Sequence, residues 1–462
     1  MKTYEEYKVS GVKWLGKVPK HWEICRFKDF ISLQTQTSLS ENKIGLENIE
    51  CATGKFIETN SEFEGNGIAF DVGDVIYGKL RPYLKKVWLS TFNGNAVGDF
   101  FVFRAKNTNS ASYIRYVMLS DGFTKEADGS TFGTKMPRVS SNFIMSMRYF
   151  LPPPFEQQAI ADYLDAKTEK MDQMIAKAEK KIEYLGELKQ SLITRAVTRG
   201  LNPNAPLKDS GVKWIGDIPR DWEIPRLNFV TSKIGSGSTP KGGSEVYVDE
   251  GVVFLRSQNV YNDGLRLNDV VHIVPSIHEQ MKGTKVQVDD ILFNITGASI
   301  GRCCRFTKGI GEANVNQHVC IVRPKNILPT FLMYCLQSFV GQTQLRQLLK
   351  GGNREGLSGE SFKNFYVLLP SPNEQQQIAT YLDIKCSKID HIVATQKKKI
   401  AYLQELKQSL ITNVVTGKIK GEFYQFNLSS CIRQQNSLTA QFVSFSLANL
   451  ANIFYPPDFY NN

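Results

Sequence analysis

The chain has 462 residues, 42% of them hydrophobic, and a net charge of +11 from 56 Lys and Arg against 45 Asp and Glu. That length exceeds what one hydrophobic core usually organises and suggests about three domains, and the composition is that of a globular protein, not a fibrous or disordered one. No stretch approaches the roughly 20 uninterrupted apolar residues of a membrane span, and residues 1–10 are charged with no apolar signal core, so the expected location is the cytoplasm, with no membrane partner.

In chain order, the first feature is a Trp-rich strap, Ser10-Gly-Val-Lys-Trp-Leu-Gly-Lys-Val-Pro-Lys-His-Trp-Glu-Ile24. Short apolar runs bounded by Gly, Asp, Asn and Pro follow, including Gly73-Asp-Val-Ile-Tyr77 and Phe101-Val-Phe-Arg104, and predict strands joined by turns. A helix is expected over 112–120. Prolines 152–154 then give an extended lead-in that resists helix until Glu156. Beyond it, apolar residues alternate in steps of three and four through Ile160, Leu164, Met171, Met174, Ala178, Ile182, Leu185, Leu188 and Leu192, except where Lys167 interrupts, a heptad seam narrow enough for one partner helix.

The strap returns as Ser210-Gly-Val-Lys-Trp-Ile-Gly-Asp-Ile-Pro-Arg-Asp-Trp-Glu-Ile224, with ten of fifteen positions identical at an offset of 200. A second mixed domain follows, its runs Asp289-Asp-Ile-Leu-Phe293 and Cys320-Ile-Val-Arg323 echoing those of the first, with a helical stretch over 330–349. The helix also recurs: residues 369–416 match 151–198 at 30 of 48 positions at an offset of 218, with a seam of Ile378, Leu382, Ile389, Ile400, Leu403 and Leu410. The simplest partner for each helix is the other copy, and a dyad perpendicular to their axes makes them antiparallel. The expected fold is therefore α+β, two sheet-containing domains separated by a pair of long antiparallel coiled-coil helices with an internal pseudo-two-fold. The divisions fall at 1–155 (first domain with its strap), 156–205 (first helix and linker), 206–372 (second domain with its strap), 373–420 (second helix) and 421–462, a nearly uncharged tail that could hold an added helix around 435–454 or come from an altered reading frame. At 1.5 Å per residue the first helix spans on the order of 60 Å, roughly one to two turns of B-DNA.

Charge follows this layout. Residues 1–155 carry 20 basic against 16 acidic side chains and residues 206–372 carry 19 against 15, whereas 156–205 balance at 8 against 8. Mildly basic domains beside a neutral helix suit a polyanion gripped by the domains and protein met by the helix. Frame and straps stay alike while the domains differ, as expected if both grip one kind of partner and read different details of it.

The two proline lead-ins with their Glu-Gln-Gln triplets at 156–158 and 374–376, the matching helix ends, the straps and Gly351-Gly-Asn-Arg-Glu-Gly-Leu-Ser358 together resemble the specificity subunit of Type I restriction-modification systems. The resemblance covers almost everything from Ser10 to about Lys420, and the tail departs from it. It implies two target recognition domains, each reading one half of a split, asymmetric site in double-stranded DNA. It also implies that the helices set the gap and bind two modification subunits, which methylate adenine with S-adenosylmethionine. Restriction subunits that use ATP and Mg would join the full complex, and this chain itself would bind no cofactor and catalyse nothing.

Three local sequences could be mistaken for catalytic motifs. Pro152-Pro-Pro-Phe155 lacks the polar first residue that a methyltransferase loop needs to accept the amine's hydrogen bonds, and Pro370-Ser-Pro-Asn373 does not restore it. The glycines of 235–243 lack the terminal Gly-Lys-Ser/Thr of a phosphate cradle, and Gly297-Ala-Ser-Ile-Gly301 lacks a third glycine and an acidic partner, so both are read as structural loops. Eight scattered cysteines are read as reduced packing thiols, and five histidines form no ligand spacing, so no metal is expected. A self-contained methyltransferase or nuclease would need motifs that are missing, and a purely structural coiled-coil scaffold would not need two basic, divergent domains.

Candidate DNA contacts in the first domain are Lys79, Arg81, Tyr83, Lys85 and Lys86, cations and an aromatic in one loop, together with Lys135 and Arg138. In the second they are Arg302, Arg305, Gln317, Asn353 and Arg354. Singly each is equally a solvated surface residue, and the proposal rests on the set. The strap residues Trp14, Trp22, Trp214 and Trp222 are assigned to docking the straps, not to stacking on bases.

Overall fold

The computed structural model describes residues 3–12, 14–38, 40–59, 66–350 and 356–420, so Asn353, Arg354 and the tail lie outside the described residues. The chain divides into two compact units, Met1–Glu179 with Lys397–Asn462, and Lys180–Gln396.

In the first unit, β1 (Ile31–Gln34), β2 (Val75–Gly78), β3 (Val87–Leu89) and β4 (Phe100–Ala105) form an antiparallel sheet in the order β1-β4-β2-β3. Val102 lies opposite Ile76 and Phe103 opposite Val75. All four residues of β2 are buried, because both faces of the sheet are covered. Val75 and Tyr77 point to a core shared with the helices Ala111–Leu119 and Asp121–Gly129, while Ile76 points to a smaller cluster with Ile44, Phe70 and Trp88.

The second unit repeats the sheet with β5 (Thr231–Ser236), β6 (Ile291–Asn294), β7 (Cys303–Arg305) and β8 (Val319–Pro324) in the order β5-β8-β6-β7. Ile291 and Phe293 enter one core and Leu292 another, the same division of faces. An acidic residue just before the central strand locks each sheet. Asp74 receives Arg104 at 2.8 and 2.7 Å, and Asp290 receives Arg323 at 2.7 and 2.8 Å. Those hydrogen bonds hold the Arg104 guanidinium protonated well beyond its ordinary range.

The long helices α1 (Pro154–Arg199) and α2 (Pro372–Val415) begin two residues before the expected Glu156 and Glu374. Proline is tolerated in a first turn, where its missing N–H has no intrahelical partner to lose. They pair antiparallel: Lys407 meets Asp172 at 2.8 Å in the first unit, and Lys189 meets Asp390 at 2.7 Å in the second. The two ion pairs exchange under the offset of 218, so each unit carries the same contact between its helix segments.

Of the seam residues, Ile160, Leu164, Met171, Leu185, Ile378, Leu382, Ile389, Leu403 and Leu410 are buried, and Ile182, Leu192 and Ile400 are half-buried. The apolar face is wider at the helix ends than a one-partner stripe. Ile411, Val414 and Val415 join the first domain's core, and Ile193, Ala196 and Val197 join the second's. Each end is covered by a domain as well as by the other helix, which requires the broader face of a core helix.

The straps dock as expected. Trp22 and Trp222 are buried, and their indole N–H groups donate to Glu156 (3.3 Å) and Glu374 (2.9 Å) in the first turns of α1 and α2. Trp14 stacks on Tyr149 at 5.7 Å, and Trp214 packs against the second core. The seven described cysteines are free; burial pushes the thiols of Cys304 and Cys320 up to about 12, in keeping with packing roles, whereas Cys51 is exposed and does not fit that expectation.

Candidate nucleic-acid interface

The segment leaving β2 turns at Pro82–Leu84, bracketed by Arg81 and Lys85, both left-handed at φ 49°. This turn is tied to a second segment, where Phe132 and Arg138 exchange backbone hydrogen bonds of 3.1 and 3.0 Å to close a short hairpin. The Arg81 N–H donates to Pro137 O (2.8 Å) and the Val139 N–H to Lys79 O (3.1 Å). The structure thus brings together two sets of candidates some 50 positions apart in sequence, Lys79, Arg81 and Tyr83 with Lys135 and Arg138. Arg81, Tyr83 and Lys135 are exposed, Lys79 lies over the Phe101 ring at 5.8 Å, and Arg138 is within 3.5 Å of Asp99.

Two cations of the same loop turn inward, which corrects the expected set. The ammonium of Lys85 is buried against Asp121 and Gln408 of α2, the latter at 2.8 Å. That of Lys86 donates to the carbonyls of Leu46 and Ile49, each at 2.7 Å. Both ammonium groups are engaged within the fold, while Arg81 and Tyr83 are exposed.

In the second domain the Arg302 guanidinium stacks on Tyr261 at 4.7 Å, and Arg266, which sequence reasoning passed over, lies over the same ring at 4.8 Å. Arg305 sits within β7 and approaches Asp289 at 3.6 Å. Gln317 is exposed, with its carbonyl accepting from the Thr239 hydroxyl and its amide 3.2 Å from His318. His318 in turn meets Thr296 at 2.6 Å, and the Leu357 N–H donates to Ile295 O at 2.8 Å, so the chain resumes beside this group after 351–355.

Two of the three motif-like sequences have structural roles. Gln157 donates to Pro152 O at 2.9 Å and Gln375 to Pro370 O at 2.8 Å, closing each proline lead-in onto its helix. Gly237 lies so close to the 315–316 backbone that a Cβ would fall 2.1 Å from Val315 O, so glycine there serves a close approach and not a phosphate. Among the described residues no group of three His, Cys, Asp or Glu side chains could hold a metal ion, and no helix is long and apolar enough to cross a membrane.

Also missed in the sequence were Phe132, Met136 and the sheet locks. The locks did leave a signal, since Asp74 with Asp290 and Arg104 with Arg323 stand at matching places in the echoed runs. The exposure of Phe132 and Met136 left none beyond their place in a Gly- and Pro-containing turn beside Lys135 and Arg138.

Comparison with known proteins agrees with this frame. The family model for the Type I restriction modification DNA specificity domain matches residues 219–405. The Type I restriction enzyme MjaVIII specificity subunit of Methanocaldococcus jannaschii is 25% identical over 439 residues, covering 91% of this chain and 98% of the relative. The EcoBI specificity subunit of Escherichia coli is 28% identical over 329 residues, covering 69% and 68%. A chain from a solved structure concerned with complex assembly and conformational transition of the type I R-M system shares the fold, with a TM-score of 0.66 and 19% identity, covering 87% of this chain and 99% of that one. In its duplicated strap, sheet domain and long helix the chain is similar, over nearly its whole described length, to Type I restriction-modification specificity subunits.

Proposed function

We propose that this chain is the DNA-reading subunit of a Type I restriction-modification complex, with 1–155 and 206–372 each reading one half of a split, asymmetric site. The observation that carries the reading is one frame used twice with unlike loops: a cationic hairpin and turn after β2 in the first domain, and Arg302 and Arg266 over Tyr261 with an exposed Gln317 in the second. Arg81, Lys135, Arg138, Arg302 and Arg266 neutralise phosphate, and Tyr83 and Gln317 meet base edges. The helix pair sets the gap between half-sites and offers its outer face to two modification subunits. Those subunits supply S-adenosylmethionine chemistry at adenine; ATP and Mg belong to restriction subunits that join them.

Co-expression with a cognate modification subunit, followed by genome-wide mapping of methylated adenine, tests this. A split motif with two different halves is expected. A continuous or palindromic motif, or methyl transfer by the purified chain alone, overturns it.

A further inference from the structure

The hairpin closed by Phe132 and Arg138 carries two large apolar side chains in water, Phe132 at 61% and Met136 at 50% exposure, beside Tyr83 at 52%. Such exposure on a mobile loop would mean little, but this tip is held rigidly. Two bonds close its base, a third from the Arg81 N–H fixes Pro137, and Gly133 turns at φ 89° with Met136 O only 3.3 Å from where a Cβ would lie. Side chains held in water by a braced backbone mark a contact surface. Its surroundings choose the partner: Lys135 on the hairpin and Arg81, whose N–H holds Pro137, are exposed, and Arg138 stands at the base within ion-pair reach of Asp99. A duplex calls for cations placed around apolar tips, because its phosphates flank the stacked bases.

Resting on the DNA-reading function above, we infer that this hairpin is a wedge: Met136, seconded by Phe132, enters a base step of the half-site read by the first domain and partly unstacks it. The cations hold the neighbouring phosphates while the apolar groups leave water for the stack. Part of the first half-site is then read through the ease of opening one step, which favours a flexible pyrimidine-purine step, and not through hydrogen bonds to its bases.

The test uses the full chain assembled with its modification subunits on a duplex bearing the mapped site, with 2-aminopurine moved through the first half-site. Wild type is expected to raise fluorescence at one step outside the methylated adenine. Met136→Ala and the double variant with Phe132→Ala should abolish that rise and weaken binding about ten-fold or more, with the slope of log affinity against log salt unchanged. Met136→Leu should retain both. Arg81→Gln and Lys135→Gln should each lower the salt slope by about one while keeping the fluorescence rise at saturation. Wild-type fluorescence and affinity in the double alanine variant overturn the wedge while leaving DNA reading intact. Unchanged affinity and salt slope in the Gln variants as well remove this loop from the DNA face, and no site-specific binding by the wild-type complex fails the underlying reading itself. All four side chains are exposed, so equal melting temperatures across the series separate these results from misfolding.

Discussion

Arg81 and Lys85 bracket one short turn with the same left-handed backbone, yet one cation faces solvent and the other is buried against Asp121 and Gln408. Non-glycine residues in that conformation cost on the order of 1 kcal/mol each, so the surrounding contacts must hold them there. Lys85 supplies such contacts, as a strut between the turn, the helix starting at Asp121 and α2. Lys85→Met keeps the apolar stem but leaves Asp121 and the Gln408 carbonyl unmatched, so it should destabilise the first unit by about 1–3 kcal/mol. The lower part of that range is favoured because Asp121 is half-exposed and water can replace the lost partner. Urea unfolding monitored in the first unit measures this, and the methylated motif should stay unchanged. An altered motif at unaltered stability would return Lys85 to the DNA face. The string Lys79-Leu-Arg-Pro-Tyr-Leu-Lys-Lys86 shows its charge plainly, but the direction of each cation is set by a turn type that Pro82 permits without dictating.

At the scale of elements, the heptad seam was legible because a helix must bury its stripe wherever it packs. What lay outside the apolar pattern was passed over, notably the ion pairs, although Asp172 with Asp390 and Lys189 with Lys407 are identical in the two copies. The two pairs are not equivalent in energy. Lys407 is 7% and Asp172 20% exposed, and Asp172 also receives Lys55 at 3.0 Å, whereas Lys189 and Asp390 are 18% and 40% exposed. A double-mutant cycle with neutral variants should give a coupling of about 2 kcal/mol for Asp172 with Lys407 and below about 1 kcal/mol for Lys189 with Asp390. Because two units need not unfold together, local hydrogen exchange on α1 and α2 is the suitable measurement. Equal couplings would mean that burial does not grade these contacts. The sheets were less legible than the helices. Short strands with buried faces show no alternation, so β2 and β6 appeared only as apolar runs, and their pairing with β4 and β8 depended on contacts distant in sequence.

For the whole molecule, the repeat legible in the sequence is a frame repeated in the fold, and the proposed ruler depends on it. Inserting seven residues into α1 between Asp172 and Lys189, and seven at the matching place in α2 between Asp390 and Lys407, keeps the seam in phase because a heptad returns each apolar position to the same face. It leaves both ion pairs and both domain cores with their own ends of the helices. The pair lengthens by about 10 Å at 1.5 Å per residue, which corresponds to about three base pairs at 3.4 Å each. Mapped methylation should therefore show the same two half-sites with a gap longer by about three, while a four-residue insertion, which turns the seam by about 40° and locally unwinds the pair, should lengthen the gap by about two at some cost in stability. An unchanged gap in a stable seven-residue variant would take the ruler away from the helices and place it in the modification subunits or the DNA.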